Sequence, residues 1–210
     1  MPRWESGTFF LICFMHTSIK NYLAAYNFIA FAFWAAYLVS YINSGLQMNS
    51  LNLLLLNIAQ GMAVLEVLHA LLKWVKSPVV STAAQVASRI LVLVFINLFV
   101  QTYAAVAIFD IGVKVVSFAW GITELVRYSL YFLGLFNKQP ASLLWMRYSF
   151  FIVLYPLGVT GEWLILLTPI IANGIVFNFY TALIVVLLVS YLYYFPMLYK
   201  YMWKQRKAKI

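Results

Sequence analysis

Apolar residues fill six long stretches of this chain, at roughly 22–41, 51–72, 83–104, 113–135, 144–168 and 175–199. Each is near the ~20 residues that an α-helix needs to cross the hydrocarbon core of a bilayer. The connections are short and carry turn chemistry: Asn43-Ser-Gly45, Lys76-Ser-Pro78, Asn137-Lys-Gln-Pro140 and Asn173-Gly174. Internal repeats, low-complexity tracts and linkers are absent from the sequence. The pattern predicts an all-α polytopic membrane protein. Residues 1–210 form a single domain, a bundle of six transmembrane helices followed by a short basic tail at 200–210.

Composition agrees. Of 210 residues 65% are apolar and 9% charged, far from the quarter charged of a soluble domain. Aromatic residues make up 19%, and many fall at predicted span ends, where an interfacial belt sits. Cys13 is the only cysteine, which excludes an intramolecular disulfide and thiolate-built metal sites. No cleaved signal peptide is expected, so the first span directs insertion.

A net charge of +9 would suggest nucleic acid in a soluble protein. Here five of the fourteen basic residues are Lys200, Lys204, Arg206, Lys207 and Lys209, which read as an anchor facing anionic membrane lipids; no nucleic-acid partner is implied. With six spans, one side of the membrane receives Arg3, Lys20, Lys73, Lys76, Lys138 and this tail. The other receives Lys114 and Asp110. The positive-inside rule then places both termini in the cytosol, and an odd span count would scatter the basic loops.

Eight polar groups interrupt the apolar stretches: Glu66, His69, Arg89, Glu124, Arg127, Arg147, Tyr155 and Glu162. Each ionisable group at membrane depth costs at least ~3 kcal/mol, so they are expected to face one another or a wet cavity. At about 1.5 Å per residue, the arginines, Glu66 and His69 gather toward the cytosolic side. Tyr155 falls near the midplane and Glu162 beyond it. An anionic head with an apolar tail would fit that gradient, with arginine forks holding phosphate. The bland alternative makes Glu66, Arg89, Glu124 and Arg127 interhelical ion pairs that only fix the bundle. His69 alone reads as a hydrogen-bonded residue near a span end, and no spacing suggests a metal site.

Tyr155 and Glu162 form the sharper signal. Their i, i+7 spacing puts a phenol and a carboxyl on one helix face, about 10 Å apart along a regular axis. Pro156, Gly158 and Gly161 are expected to kink the helix and bring the two closer.

Five blocks resemble the very-long-chain 3-hydroxyacyl-CoA dehydratases, also called protein-tyrosine-phosphatase-like proteins. They are Tyr22-Leu-Ala-Ala-Tyr-Asn27 with Trp34; Leu65-Glu-Val-Leu-His69; Gln85-Val-Ala-Ser-Arg89; Trp120-Gly-Ile-Thr-Glu124 with Arg127-Tyr128; and Arg147-Tyr148 leading into Tyr155-Pro-Leu-Gly-Val-Thr-Gly-Glu162. Their shared order and spacing, from about residue 20 to the end, make the match specific. The resemblance implies a six-span protein of the endoplasmic reticulum membrane that converts 3-hydroxyacyl-CoA to trans-2-enoyl-CoA in fatty-acid elongation. It implies Tyr155 and Glu162 as catalytic residues, with Glu66, His69, Arg89, Glu124, Arg127 and Arg147 binding substrate or supporting the site. It also implies the elongation condensing enzyme and the reductases as partners. Two departures stand out. His69 is followed by Ala70 rather than cysteine, which excludes thiolate phosphatase chemistry. Ala208 after Lys207 breaks a strict dilysine retrieval signal.

Dehydration needs a base for the C2 proton and an acid for the departing hydroxyl. One assignment has a neutral Glu162 protonate the hydroxyl while Tyr155 acts as base or polarises the thioester; the reverse is equally sensible chemistry. The CoA phosphates are expected near Arg89, Arg127, Arg147, Lys73 or Lys76. Gly112 and Gly121 form no nucleotide loop, so no cofactor is implied. The competing readings are a small transporter, a non-catalytic scaffold, or another lipid enzyme such as an acyltransferase. His16 and His69 are poorly placed for the last of these.

Overall fold

The computed structural model describes residues 6–175 and 178–209, with side chains from residue 17 onward apart from those of 180, 208 and 209. Arg3 and the side chains of Cys13, His16 and Lys209 lie outside the described residues. Every regular element among them is helical. The order is α1 (Ser6–Asn43), α2 (Ser50–Gly61), α3 (Val64–Leu71), α4 (Val79–Tyr103), α5 (Ala107–Gly134), α6 (Ala141–Ser149), α7 (Phe151–Asn173) and α8 (Phe179–Lys209).

The helices stop where the sequence supplies a left-handed residue. Gly45, Lys73 and Asn137 have φ near +60°, two residues past the ends of α1 and α3 and three past the end of α5. Behind each, two backbone N–H groups turn back onto the last carbonyls: Leu46 to Tyr41 and Gly45 to Ile42, Trp74 to His69 and Lys73 to Ala70, Lys138 to Leu133 and Asn137 to Gly134. This double closure satisfies carbonyls that a helix end would otherwise leave bare. Glycine and asparagine tolerate the conformation; Lys73 is the costly member of the three.

Two of the apolar stretches are not single helices. The second breaks between α2 and α3, just after Gly61, where tighter turns run Ala63 to Gln60, Leu65 to Met62 and Glu66 to Ala63. The Tyr26 hydroxyl donates to the Met62 carbonyl at 3.0 Å, an outside group inserted into the break. The fifth stretch breaks at Phe150, ahead of Tyr155, and α7 then continues unbroken through Tyr155, Pro156 and Glu162. The expected interruption between Tyr155 and Glu162 is therefore displaced toward the helix start. Pro156 cannot donate to the carbonyl of Ile152, and the Tyr199 hydroxyl of α8 takes that acceptor at 3.4 Å.

Six rods result: α1, α2–α3, α4, α5, α6–α7 and α8. Contacts show which ends lie together. Lys20 lies over the Phe136 ring at 5.1 Å, and Tyr22 reaches His69, so the part of α1 around residues 20–22 meets the ends of α3 and α5. At the opposite end Tyr103 of α4 meets Asn173 of α7. The rods thus run up and down in sequence. Lys73, Lys76 and Lys138 fall at the first end and the Asp110–Lys114 pair at the other.

Five of these segments are long and apolar enough to cross a membrane: Thr17–Asn43, Ser50–Leu71, Val79–Tyr103, Phe151–Asn173 and Thr181–Lys207. The 28-residue α5 is also long enough, but it carries Asp110, Lys114, Glu124 and Arg127. Outward-facing Val39, Leu54, Val153, Ile171 and Leu192 are at least half exposed, a surface suited to lipid and not to water. The chain is a multi-pass membrane protein.

The core lies around α5. Trp34, Tyr37, Phe95, Ile96, Tyr128, Ile165 and Leu166 are all buried there. Small residues let α5 and α7 approach closely. A Cβ on Gly161 would meet Val116 Cγ2 at 2.8 Å and the Gly112 carbonyl oxygen at 3.0 Å, and one on Gly158 would rest on Ala119 at 3.7 Å. Without a hydrophobic driving force between helices in lipid, such close backbone contact is a main source of association.

Candidate active site

Two polar assemblies occupy the bundle interior. The first is ionic and links α3, α4 and α5. Arg127 donates from Nη1 and Nη2 to the two oxygens of Glu66 at 2.5 and 2.6 Å, and from Nε to Glu124 at 2.7 Å. Glu124 also receives Arg89. Tyr128 donates to Glu66 at 2.6 Å. Two carboxylates and two guanidinium groups balance in charge, the condition under which buried ions are tolerable. All three nitrogens of Arg127 face carboxylates, so it presents no free edge to a phosphate.

His69 belongs to neither assembly. It is buried, accepts or donates at 3.0 Å to the Tyr22 hydroxyl, and stacks on Trp74 with centroids 5.8 Å apart. It makes no described contact with Tyr155 or Glu162. Arg147, in the last turn of α6, has no described hydrogen bond or ion pair.

The second assembly contains the predicted pair. Helices α7 and α8 run antiparallel in a register read directly from their aromatic contacts. Phe151 packs on Tyr199 and Trp203, with centroids 5.6 and 5.7 Å apart. Tyr155 stacks on Phe195 at 5.3 Å and on Tyr199 at 6.4 Å. Two turns further along α7, Glu162 meets Tyr191, whose hydroxyl donates to Oε2. The α7 face 151, 155, 162 thus meets the α8 face 191, 195, 199, 203.

Glu162 is only 7% exposed. From α5, Trp120 donates its indole N–H to Oε1 at 2.9 Å. Each carboxyl oxygen therefore accepts one hydrogen bond from a neutral donor. Unlike Glu66 and Glu124, Glu162 has no ion pair among the described residues. Tyr155 and Tyr191 both lie close enough to interact electrostatically with it, and Tyr191 with Tyr155 in turn.

Trp120 also joins the two assemblies. Its ring lies under the Arg89 guanidinium, 4.8 Å from centroid to Cζ, while Trp34 faces Arg89 at 5.9 Å. The sequence reading cited Trp120 only within a block and missed Tyr191 altogether. The i, i+4 spacing of Tyr191, Phe195 and Tyr199 was the available signal, since it puts all three on one helix face.

Two cavities lie at the end remote from the ionic assembly. One of about 250 Å³ is bordered by Asn49, Asn57 and Gln101. Another, of about 180 Å³, lies between α4, α7 and α8, bordered by Tyr103, Pro169, Ile170 and Ile184. The latter continues the α7–α8 seam from Glu162, two turns further on. No group of three or more histidine, cysteine or acidic side chains able to hold a metal occurs among the described residues.

Comparison with known proteins gives a consistent picture. A family model described as protein tyrosine phosphatase-like protein, PTPLA, matches residues 60–210. A Caenorhabditis elegans protein named very-long-chain (3R)-3-hydroxyacyl-CoA dehydratase hpo-8 is 40% identical over 213 residues, covering 90% of this chain and 94% of its own. The Arabidopsis thaliana dehydratase PASTICCINO 2 is 35% identical, covering 94% and 96%. Mouse very-long-chain (3R)-3-hydroxyacyl-CoA dehydratase 2 is 34% identical, covering 89% and 79%. No solved structure matches the chain.

Proposed function

Because this chain belongs to the protein tyrosine phosphatase-like (PTPLA) family, we propose that it removes water from long- and very-long-chain 3-hydroxyacyl-CoA to give trans-2-enoyl-CoA. It is a hydro-lyase of the fatty-acid elongation cycle, and its substrate is an acyl-CoA. The observation that carries the site assignment is the isolation of Glu162. Of the three acids inside the bundle, Glu66 and Glu124 are neutralised by arginines; Glu162 is held only by an indole and a phenol, on the helix face that carries Tyr155.

That setting favours one division of labour. An ionised carboxylate is an acceptor only, and both oxygens of Glu162 accept. Glu162 takes the C2 proton. The C2–H electron pair moves through the enolate of the thioester to form the C2=C3 bond as the C3–O bond breaks. Tyr155 gives its phenolic proton to the departing hydroxyl, which leaves as water. The proton on Glu162 then returns to the Tyr155 phenolate. Tyr191, bonded to Glu162 and one turn of α8 from the Phe195 that stacks on Tyr155, is the group suited to pass it back.

The acyl chain follows the α7–α8 seam toward the cavity at Ile170 and Ile184. The CoA phosphates meet Arg147, Lys73 and Lys76 at the basic end. In this reading α5 also crosses the bilayer, giving six spans with both termini cytosolic, in the endoplasmic reticulum membrane. The condensing enzyme and the reductases of elongation are its partners. The asymmetry of Lys73, Lys76, Lys138 and the basic tail against the Asp110–Lys114 pair supports that orientation.

Product analysis tests the reading. Purified protein in lipid nanodiscs, given 3-hydroxyacyl-CoAs of graded length, is expected to yield the enoyl-CoA 18 mass units lighter, a loss of one water. Intact substrate at every length would sink the dehydratase assignment and leave a transporter or scaffold.

A further inference from the structure

Arg89 has more donors than its ionic partner uses. Nη1 meets Glu124, whereas Nε and Nη2 are buried and have no hydrogen-bond partner. These two share one edge of the planar guanidinium, so their N–H bonds point the same way, a fork shaped to close on oxygen. Leaving such donors dry and unmet is costly, and a bidentate acceptor is their natural complement.

The fork's surroundings narrow the acceptor. Trp120 and Trp34 both present their rings to the guanidinium, with centroids 4.8 and 5.9 Å from Cζ. Trp120 reaches Glu162 with its own N–H, which sets Arg89 one indole width from the proposed base. Arg89 is also within electrostatic reach of both Glu162 and Tyr191. A phosphate of CoA is a poor candidate here, because the fork lies against Trp120, which holds Glu162, and not among Arg147, Lys73 and Lys76 at the basic end.

We propose that the Nε/Nη2 edge of Arg89 binds the thioester carbonyl oxygen of the substrate and stabilises the enolate that forms when Glu162 removes the C2 proton. This rests on the dehydratase reading above. It makes Arg89 a catalytic residue, touching a reacting atom, and not a phosphate anchor. Charge builds on that oxygen only in the transition state, where preformed donors in a water-poor site are most effective. Glu124 is then a positioning residue: by holding Nη1 it turns the other edge toward the substrate. The electron pair from C2 rests on the carbonyl oxygen and returns to form C2=C3, so Arg89 exchanges no proton.

The test compares two unreactive ligands, a saturated acyl-CoA and the thioether of equal length that lacks the carbonyl. Both keep the CoA phosphates and the apolar tail, so those contributions cancel. Wild-type protein is expected to bind the thioester analogue at least tenfold tighter. Arg89→Lys, which keeps the charge opposite Glu124 but loses the fork, is expected to bind the two within about twofold and to lose at least a hundredfold in kcat. A merely structural Arg89 would weaken both ligands alike and preserve their ratio, which would overturn the proposal. Equal binding by the wild type would overturn it too, whether or not the variant folds. Failure of the dehydratase reading is distinct: wild-type protein would then form no enoyl-CoA.

Discussion

The indole N–H of Trp120 donates to Oε1 of Glu162 at 2.9 Å, across the close seam between α5 and α7. The contact joins Glu162 to Arg89, because the same ring carries Arg89 on its face. Trp120→Phe keeps an aromatic surface for Arg89 and removes the donor. A hydrogen bond to a charged group contributes about 1.5–3 kcal/mol, so kcat is expected to fall on the order of ten- to hundredfold. Steady-state kinetics on the variant checks this, and an unchanged kcat would remove Trp120 from the mechanism.

Tyr191→Phe separates chemistry from recovery. The stack of Tyr155 on Phe195 and Tyr199 does not involve Tyr191, so the α7–α8 register should survive. If Tyr191 returns the proton, steady-state turnover drops further than the first turnover does. Rapid-quench measurement of enoyl-CoA should then show a burst equal to the enzyme present, absent from the wild type.

The seam itself is testable at Gly161. A Cβ there would meet Val116 Cγ2 at 2.8 Å and backbone atoms of Gly112 and Val116 at 3.0 Å, with no flexible chain end to yield. Gly161→Ala is expected to push α5 from α7 and pull Trp120 off Glu162. Overpacking costs about 1–3 kcal/mol in stability. A misplacement near 1 Å costs about a hundredfold in rate. Activity should therefore fall well before the fold does, as comparison of thermal unfolding with kcat/KM would reveal.

The ionic assembly is expected to behave differently. Arg127 links Glu66 on α3 to Glu124 on α5, and removing it strands the Glu66 carboxylate and leaves Glu124 with Arg89 alone. Arg127→Met should cost about 3–5 kcal/mol, enough to abolish most folded protein. The triple change Arg127→Met, Glu66→Gln, Glu124→Gln should recover part of that stability by removing the stranded charges, though Arg89 then loses its partner. Detergent-solubilised yield and unfolding temperature report both.

How much of this was legible in the chain varies by feature. The six apolar stretches and their turns were plain, because spanning length and Asn/Gly/Pro punctuation are local properties. Glu162 stood out because ionisable groups are rare at such depth, and Tyr155 because its i, i+7 spacing sets it on the same helix face. The break after Gly61 was hidden, since it depends on the Tyr26 hydroxyl arriving from another helix. Pairing of Glu66 with Arg127, 61 positions apart, likewise depends on which faces of α3 and α5 meet. Tyr191 was lost among fifteen tyrosines, and only the α7–α8 register singles it out. Pro156 misled in a useful way. Its missing N–H did not interrupt α7, because Tyr199 took the vacant carbonyl, and the break in this stretch lies at Phe150 instead.

The most direct test of the central claim is a single-turnover assay of Tyr155→Phe and Glu162→Gln with a long-chain 3-hydroxyacyl-CoA. Both substitutions keep shape and leave the α7–α8 stack in place. Each folded variant is expected to form enoyl-CoA at least a thousandfold more slowly than wild type. Near-normal formation by either would contradict the account, because a phenol and a carboxyl facing α8 would then be structural neighbours and not the acid and base of the reaction.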